Sequence, residues 1–560
     1  MHSANSGNAT NMQSPTVENL GAGHTVRVVD RWTGEKTSAL RHAYRMTIEA
    51  FAQHLGASVR TVANWEAKPE IVLSATMQEI LDTALHQASE QTKQRFSMLS
   101  DERPRRAGVS DDAQRVEHGG TEASSKLDTD RDIATALEWL DRKQGYPDIT
   151  ARQLVTEELA NFDHVQMKDR ARRRGRVSQR EVADALSTYY EDGFDEHSMY
   201  RTSYGSDTEA VASILCRSTW LDLGIGLAPE RDRLTLISTA HDDGSPMDSE
   251  PAERVRHHLV EIVASGRRVV DSPLYRLLSI DLDRGRIDGT VGMTTFMDYA
   301  LTMDMLEGEL LDAIAAGLPT MPGTLPLRDR YLPDVAAVLD FQGRLCAGGA
   351  LALCAIARPA SRSRRGEADY LLLIQERSGN VLNAAGRLAV IPKGFHEPLV
   401  NYQDDAQLSA TLLREMEEEL FGRDDVDNTT GSQRHADPMH QSRLSEPMRW
   451  LLDTGHGERL RMECTGFGLN LVSGNFEFAN LIVIDDPDFW VRYGGHIQAN
   501  WESSGVRQYS SMSRGLLTDL IRDQSWSNEG LFALLQGLRR LREIGGDRVD
   551  IPTIEREILT

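Results

Sequence analysis

The chain has 560 residues, more than the roughly 250–300 that one hydrophobic core organises, so two or three domains are expected. No run of about 18 apolar residues exists to span a bilayer, and the polar segment Met1 to Gly23 lacks the basic and apolar regions of a signal peptide, so a cytoplasmic protein without a membrane partner is expected. A formal charge of −23 excludes a protein that coats nucleic acid along its whole surface, because phosphate binding needs local positive charge.

In chain order, residues 1–24 are small and polar without periodicity and read as a disordered tail. From Arg27 to Lys68, seven basic residues (Arg27, Arg31, Lys36, Arg41, Arg45, Arg60, Lys68) stand against four acidic ones (Asp30, Glu35, Glu49, Glu66), a local balance of +3. Ile48 to Trp65 meets the steric demands of two helices crossing steeply at a short turn. Ala52 is small where the helices touch, Gly56 tolerates φ > 0 at the corner, and Phe51, Leu55, Val62 and Trp65 fall at inward positions. Ser58 suits the N-cap of the second helix. Met77 to Leu85 reads as a closing amphipathic helix, so an all-α helix-turn-helix domain is expected over 25–86.

These residues, together with the Trp65-Glu66 pair, resemble the Cro/XRE-like phage-repressor helix-turn-helix family over about 50–60 residues. By that resemblance Ser58, Val59, Arg60, Thr61 and Asn64 form the DNA-binding face. Arginine pairs bidentately with guanine, asparagine with adenine, and the methyls of valine and threonine meet those of thymine. The resemblance implies a double-stranded DNA operator and a two-fold homodimer. A hairpin that only contacts protein is the alternative.

Residues 87–128, rich in Ser, Gly, Asp, Glu and Arg, read as a flexible linker. A mainly helical middle region is expected over 129–326, with helical faces marked by Ile133, Leu137 and Leu140, by Leu154, Leu159 and Phe162, and by Val182 and Leu186. Short strands are expected at 234–237 and 277–280. Lys168 to Arg176 is a basic cluster ahead of a capping box at Ser178 and Glu181. It reads more readily as an ion-paired surface than as a second nucleic-acid contact. Met199 to Gly205 reads equally well as a Ser/Tyr site or as a capped loop.

Strands are expected at 335–341, 350–356, 370–374, 388–391, 469–472 and 480–484, and helices near 405–421, 516–521 and 531–544. In the glutamate-rich helix, Glu415, Glu418 and Glu419 share one face while Leu412, Leu413, Met416 and Leu420 supply the buried side. Converging carboxylates call for a cation, and oxygen ligands favour Mg²⁺ or Mn²⁺. Arg414 to Glu419, with the preceding Pro392-Lys393-Gly394 turn, resembles the core of the Nudix box, Arg-Glu-apolar-x-Glu-Glu.

That resemblance implies a C-terminal α/β/α sandwich with a mixed sheet over 327–560. It also implies metal-binding and catalytic roles for Glu415, Glu418 and Glu419, and phosphate contacts from Lys393 and Arg414. The box departs from the family pattern at Val400, Ala406 and Phe421; Glu397, Asp404, Asp405 and Glu477 are the acids that would restore a carboxylate. The four scattered cysteines (Cys216, Cys346, Cys354, Cys464) form no CxxC pair and are expected reduced and buried. The joint reading is a DNA-binding regulator that senses a nucleotide-derived ligand. Its alternative is a pyrophosphohydrolase of nucleoside-diphosphate compounds tethered to DNA.

Overall fold

The computed structural model describes residues 32–55, scattered positions between 62 and 127, and 130–556 apart from 191–195, 206–207, 242–246, 268, 361–366, 379–383, 424–437, 454–458 and 495–502. The chain divides into two compact units at Ser110/Asp111. No described helix is long and apolar enough to cross a membrane.

In the N-terminal unit, α1 (Gly34–Ala43) begins where the Thr33 hydroxyl accepts the Lys36 N–H at 3.3 Å. Arg45, at φ 56°, turns the chain into α2 (Ile48–Leu55). Phe51, Ala52 and Leu55 are buried, and so are the helical residues Val62 and Trp65. They form one core with Trp32, Leu40, Leu81, Leu85 and Phe96. Phe96 stacks on Trp32 at 5.4 Å, so this core reaches past residue 86. The tail, Gly56, the reading residues Ser58, Val59, Arg60, Thr61 and Asn64, and most of Met77–Leu85 and of the linker lie outside the described residues.

The second unit opens with four helices, α3 (Arg131–Gln144), α4 (Thr150–Ala160), α5 (His164–Arg174) and α6 (Gln179–Tyr189). Then come β1 (His197–Tyr204), β2 (Thr208–Arg217), β3 (Leu221–Gly226), β4 (Asp232–His241), α7 (Ser249–Ser265), β5 (Pro273–Asp281) and β6 (Ile287–Thr295). Four short or medium helices follow: α8 (Phe296–Ala300), α9 (Met305–Ala315), α10 (Pro326–Tyr331) and α11 (Val335–Leu339). The next stretch holds β7 (Gly348–Arg358), β8 (Asp369–Arg377), β9 (Leu388–Val390), β10 (Lys393–Phe395) and α12 (Leu408–Glu415). The chain continues through α13 (Glu446–Leu452), β11 (Leu460–Asn470), β12 (Phe476–Ile484), α14 (Pro487–Tyr493), β13 (Ser503–Ser510), α15 (Arg514–Arg522), α16 (Asn528–Ile544) and β14 (Ile554–Arg556).

Among the described residues, eleven strands form one mixed sheet along the path β13-β8-β7-β12-β11-β2-β1-β14, with β9, β10 and β3 paired at its side; β4-β6-β5 make a second sheet. The large sheet is antiparallel except at β7 and β12, whose parallel register sets Glu477 beside Gly349. Alternate side chains of β7 part to opposite faces, as a strand period of two requires. Leu351, Leu353 and Ala355 join Phe532, Leu535 and Leu538 of α16 in one core. Ala352, Cys354 and Ile356 join Leu412 and Met416 in the other. Burial on both faces explains why this strand is a nearly continuous apolar run.

The middle region holds seven helices among its described residues, α3 to α9, but carries more and longer strands than its sequence suggests. Residues 129–326 supply β1 to β6, and β1, β2 and β3 belong to the same sheet as β7 to β14. Met199 to Gly205, read as a loop, runs through β1, which pairs with β14 at the far end of the chain. Residues 335–341, read as a strand, contain α11, because the Asp334 carboxylate caps the Ala337 N–H at 2.7 Å. The strands at 234–237 and 277–280 lie within β4 and β5. All four cysteines are buried and free.

Arg328 ties this region to the large sheet. Its side chain is fully buried on α10 and donates to the carbonyls of Leu471 and Val472, the latter at 2.7 Å, and to the Tyr190 hydroxyl at 3.1 Å. Arg328→Met keeps the apolar stem and leaves these acceptors unpaired. Each buried unsatisfied group costs about 1–3 kcal/mol, so a loss of roughly 3 kcal/mol is expected in urea denaturation. A change within ~0.5 kcal/mol contradicts this anchoring role.

Candidate functional site

β10 lies antiparallel on β7, with Lys393, Gly394 and Phe395 opposite Leu351, Ala350 and Gly349. The backbones meet closely. A Cβ on Gly349 would fall 2.1 Å from the Gly394 carbonyl, and a Cβ on Gly394 would fall 2.0 Å from Glu415 Oε1. Glycine at 394 therefore makes the space in which the first box glutamate sits against the strand.

The glutamate helix does not continue as an α-helix. After α12 it widens into a π-helical turn, Met416–Leu420, closed by the Phe421 N–H on the Met416 carbonyl at 3.2 Å. Such turns are rare and frequently fall at functional sites. Here Glu417 and Glu419 reach different neighbours. Glu417 accepts the N–H of Ser445, the N-cap of α13, at 2.8 Å. Glu419 accepts the Lys393 main-chain N–H at 2.6 Å and the Gln375 amide at 3.4 Å.

Arg414 is buried among the carboxylates. Its guanidinium donates to Glu415 at 2.8 Å and to the carbonyls of Phe395 and Glu397 at 3.1 Å, and it lies 3.3 Å from the Glu397 carboxylate and 4.0 Å from that of Glu418. Burial alone would lower its pKa, but Glu397, Glu415 and Glu418 together hold it above the ordinary arginine value. The cation that converging carboxylates call for is thus present as an arginine of the box itself. Glu418 keeps a side chain 14% exposed.

Lys393 was expected to face phosphates. Its ammonium instead lies 2.6 Å from Glu529, in the first turn of α16. Asn470 bridges onward, donating to Glu529 at 3.3 Å and to Glu477 at 3.4 Å. Burial, and then the charge of Glu529, push the Glu477 carboxyl well above the ordinary range. Burial opposes ionisation of Glu529 too, but its contact with Lys393 prevails and keeps it low. The pair is thus arranged as one carboxylate and one carboxylic acid, because two adjacent buried carboxylates repel. Beside Glu529 a cavity is lined by Glu307, Arg387, Asn470, Trp526 and Asn528 among others.

The structure therefore gathers Lys393, Arg414, Glu415, Glu418 and Glu419 at the junction of β10 with the helix, with Glu397 alongside. Asp405 does other work: one carboxylate oxygen accepts the N–H groups of Leu399, Val400 and Asn401 at 2.8–2.9 Å and closes the lengthened loop. Asp404 accepts the Asn401 amide. Ala406 is buried, Val400 exposed. Glu529, Asn470 and Glu307 carry no local motif and escape a reading of the sequence. No protein-family model matches the chain, and no curated protein matches it.

The carboxyl of Glu477 sets a pH dependence. Its folded pKa is raised above the ordinary value of 4.5, so the folded state holds a proton that the unfolded chain releases. The stabilisation linked to that proton is complete below pH 4.5 and is lost as pH rises through the raised value. Glu477→Gln, which stays uncharged and keeps hydrogen-bonding atoms toward Asn470, should flatten the fall of stability with rising pH in urea melts. A variant with the wild-type slope contradicts the assignment.

Proposed function

We propose that the chain is a DNA-binding transcriptional regulator, with a helix-turn-helix in the first unit and a Nudix-like α/β/α sandwich that senses a nucleotide-derived ligand in the second. The observation that carries the reading is the burial of all five motif positions, Phe51, Ala52, Leu55, Val62 and Trp65, in one core. That is the inward set a repressor-type helix pair needs, and the resemblance assigns the reading face to Val59, Arg60, Thr61 and Asn64. The Nudix-like assignment draws support from the mixed sheet with its parallel β7 and β12, covered by α16 on one face and the glutamate helix on the other.

Sensing is favoured over hydrolysis because the box groups are already engaged. Glu415 receives Arg414, Glu419 receives the Lys393 N–H, and the Lys393 ammonium is held by Glu529. A Mg²⁺ or Mn²⁺ ion would meet Glu418 as the most exposed of the three box carboxylates; hydrolysis at such an ion is the rival reading. A homodimer on a two-half-site operator remains part of the proposal.

The test uses the full chain with an operator selected from random duplexes. Arg60→Ala and Asn64→Ala should each weaken operator binding by about 1–3 kcal/mol, the worth of one bidentate base contact, and leave nucleotide binding unchanged. ADP-ribose, NAD and dinucleoside polyphosphates should include a compound that binds saturably without turnover in Mg²⁺. Unchanged operator affinity in both variants contradicts the reading helix. Turnover that vanishes in Glu418→Gln/Glu419→Gln contradicts the sensor and identifies an enzyme.

A further inference from the structure

The cluster Lys168 to Arg176 holds six basic residues and one acid, and the fold divides it. Arg170 and Arg174, one turn apart on α5, point into the unit. Arg170 lies 2.5 Å from Glu261 of α7. Arg174 grips Asp312 of α9 through two N–H groups at 2.6 and 2.5 Å. These two answer to the ion-paired surface expected from the sequence.

Lys168, Arg172, Arg173 and Arg176 do not. All four are exposed, and α5 has no buried residue. Arg172 shares Asp169 at 3.4 Å with both side chains more than half exposed, a pair worth little against competing solvent and salt. Among the described residues, Lys168, Arg173 and Arg176 have no carboxylate within salt-bridge distance. A chain of net charge −23 had acids to spare for neutralising this face, and it placed them on the inner one.

We infer that the outer face of α5 is a second DNA contact, one that binds the phosphate backbone without reading bases. Three arguments favour this partner. From Lys168 to Arg174 seven helical residues span roughly 9 Å at 1.5 Å each, a length over which duplex DNA presents about five phosphate charges, and Arg176 follows just past the Gly175 cap. Three of the four cations are arginines, whose planar forks bind phosphate oxygens in pairs. The face also lacks the apolar stripe a helix needs to lie in a membrane surface, because Val165 is the one large hydrophobic residue that α5 exposes. The inference builds on the regulator reading, which brings DNA to the chain. It gives the region between the two motifs a role: the inward arginines hold the helix to the unit and the outward ones hold DNA.

The test measures binding of the full chain to a random-sequence duplex across a salt series. In Arg172→Gln/Arg173→Gln/Arg176→Gln, loss of three phosphate contacts should reduce the slope of log K against log salt by about 2.7 and weaken binding at least about tenfold near 0.1 M salt. The melting temperature should not change, since none of the three side chains is buried. The triple arginine-to-lysine variant should restore the slope. Wild-type slope and affinity in the glutamine variant overturn the inference, including the case where that variant has lost binding to poly-glutamate, which would assign the face to an acidic protein. Asn64→Ala separates this outcome from failure of the reading helix. Operator preference belongs to that helix, whereas the share of the random-duplex slope that α5 contributes should survive in Asn64→Ala.

Discussion

Lys393 is held at both ends, and the second unit is organised around that fact. Its main-chain N–H closes on Glu419 at the end of the glutamate helix, while its ammonium closes on Glu529 at the start of α16. The two helices lie on opposite faces of the large sheet, so one residue of a three-residue strand couples both layers through the sheet between them. A largely desolvated ammonium, with its side chain 13% exposed, is stabilised by a partner in good geometry, because desolvation of either ion alone costs several kcal/mol. That requirement fixes the register of β10 on β7, the seat of Glu419, and the position of the α16 N-terminus together.

The same logic governs the neighbouring charges. Arg414 is neutralised by Glu397, Glu415 and Glu418, and Glu477 stays protonated beside an ionised Glu529. The Lys393 ammonium and the Arg414 guanidinium each have carboxylate counterparts at the junction. A ligand entering here competes with internal ion pairs, and release of one partner would be felt at another element. Such exchange is how a binding event in a packed core biases a conformational equilibrium, since a ligand shifts only the states it binds differently.

The parts of this fold that were legible in the sequence are those whose pattern is local. β7, β8 and β12 are apolar runs because both faces are covered, and the glutamate helix, α15 and α16 show a three-to-four periodicity. The burial of Phe51, Ala52, Leu55, Val62 and Trp65 in one core was legible because their small and apolar types recur at fixed spacing. β1 and β2 were not, since β1 carries Ser, Arg and Thr and finds its partners in β2 and, hundreds of residues later, in β14. The box was legible as a string but not in its surroundings. Glu529 is far downstream, and nothing near it marks it as the partner of Lys393. The π-helical turn also leaves no trace in a spacing argument that assumes an α-helix throughout.

The central claim is that ligand occupancy in the second unit alters DNA affinity. The most direct measurement is calorimetric titration of the full chain with whichever of ADP-ribose, NAD or the dinucleoside polyphosphates it binds most tightly, in the absence and in the presence of saturating operator. Coupling is reciprocal, so the account predicts that operator changes ligand affinity by the same factor by which ligand changes operator affinity, about 5- to 150-fold for ordinary allosteric coupling. Identical ligand affinity with and without operator would contradict it.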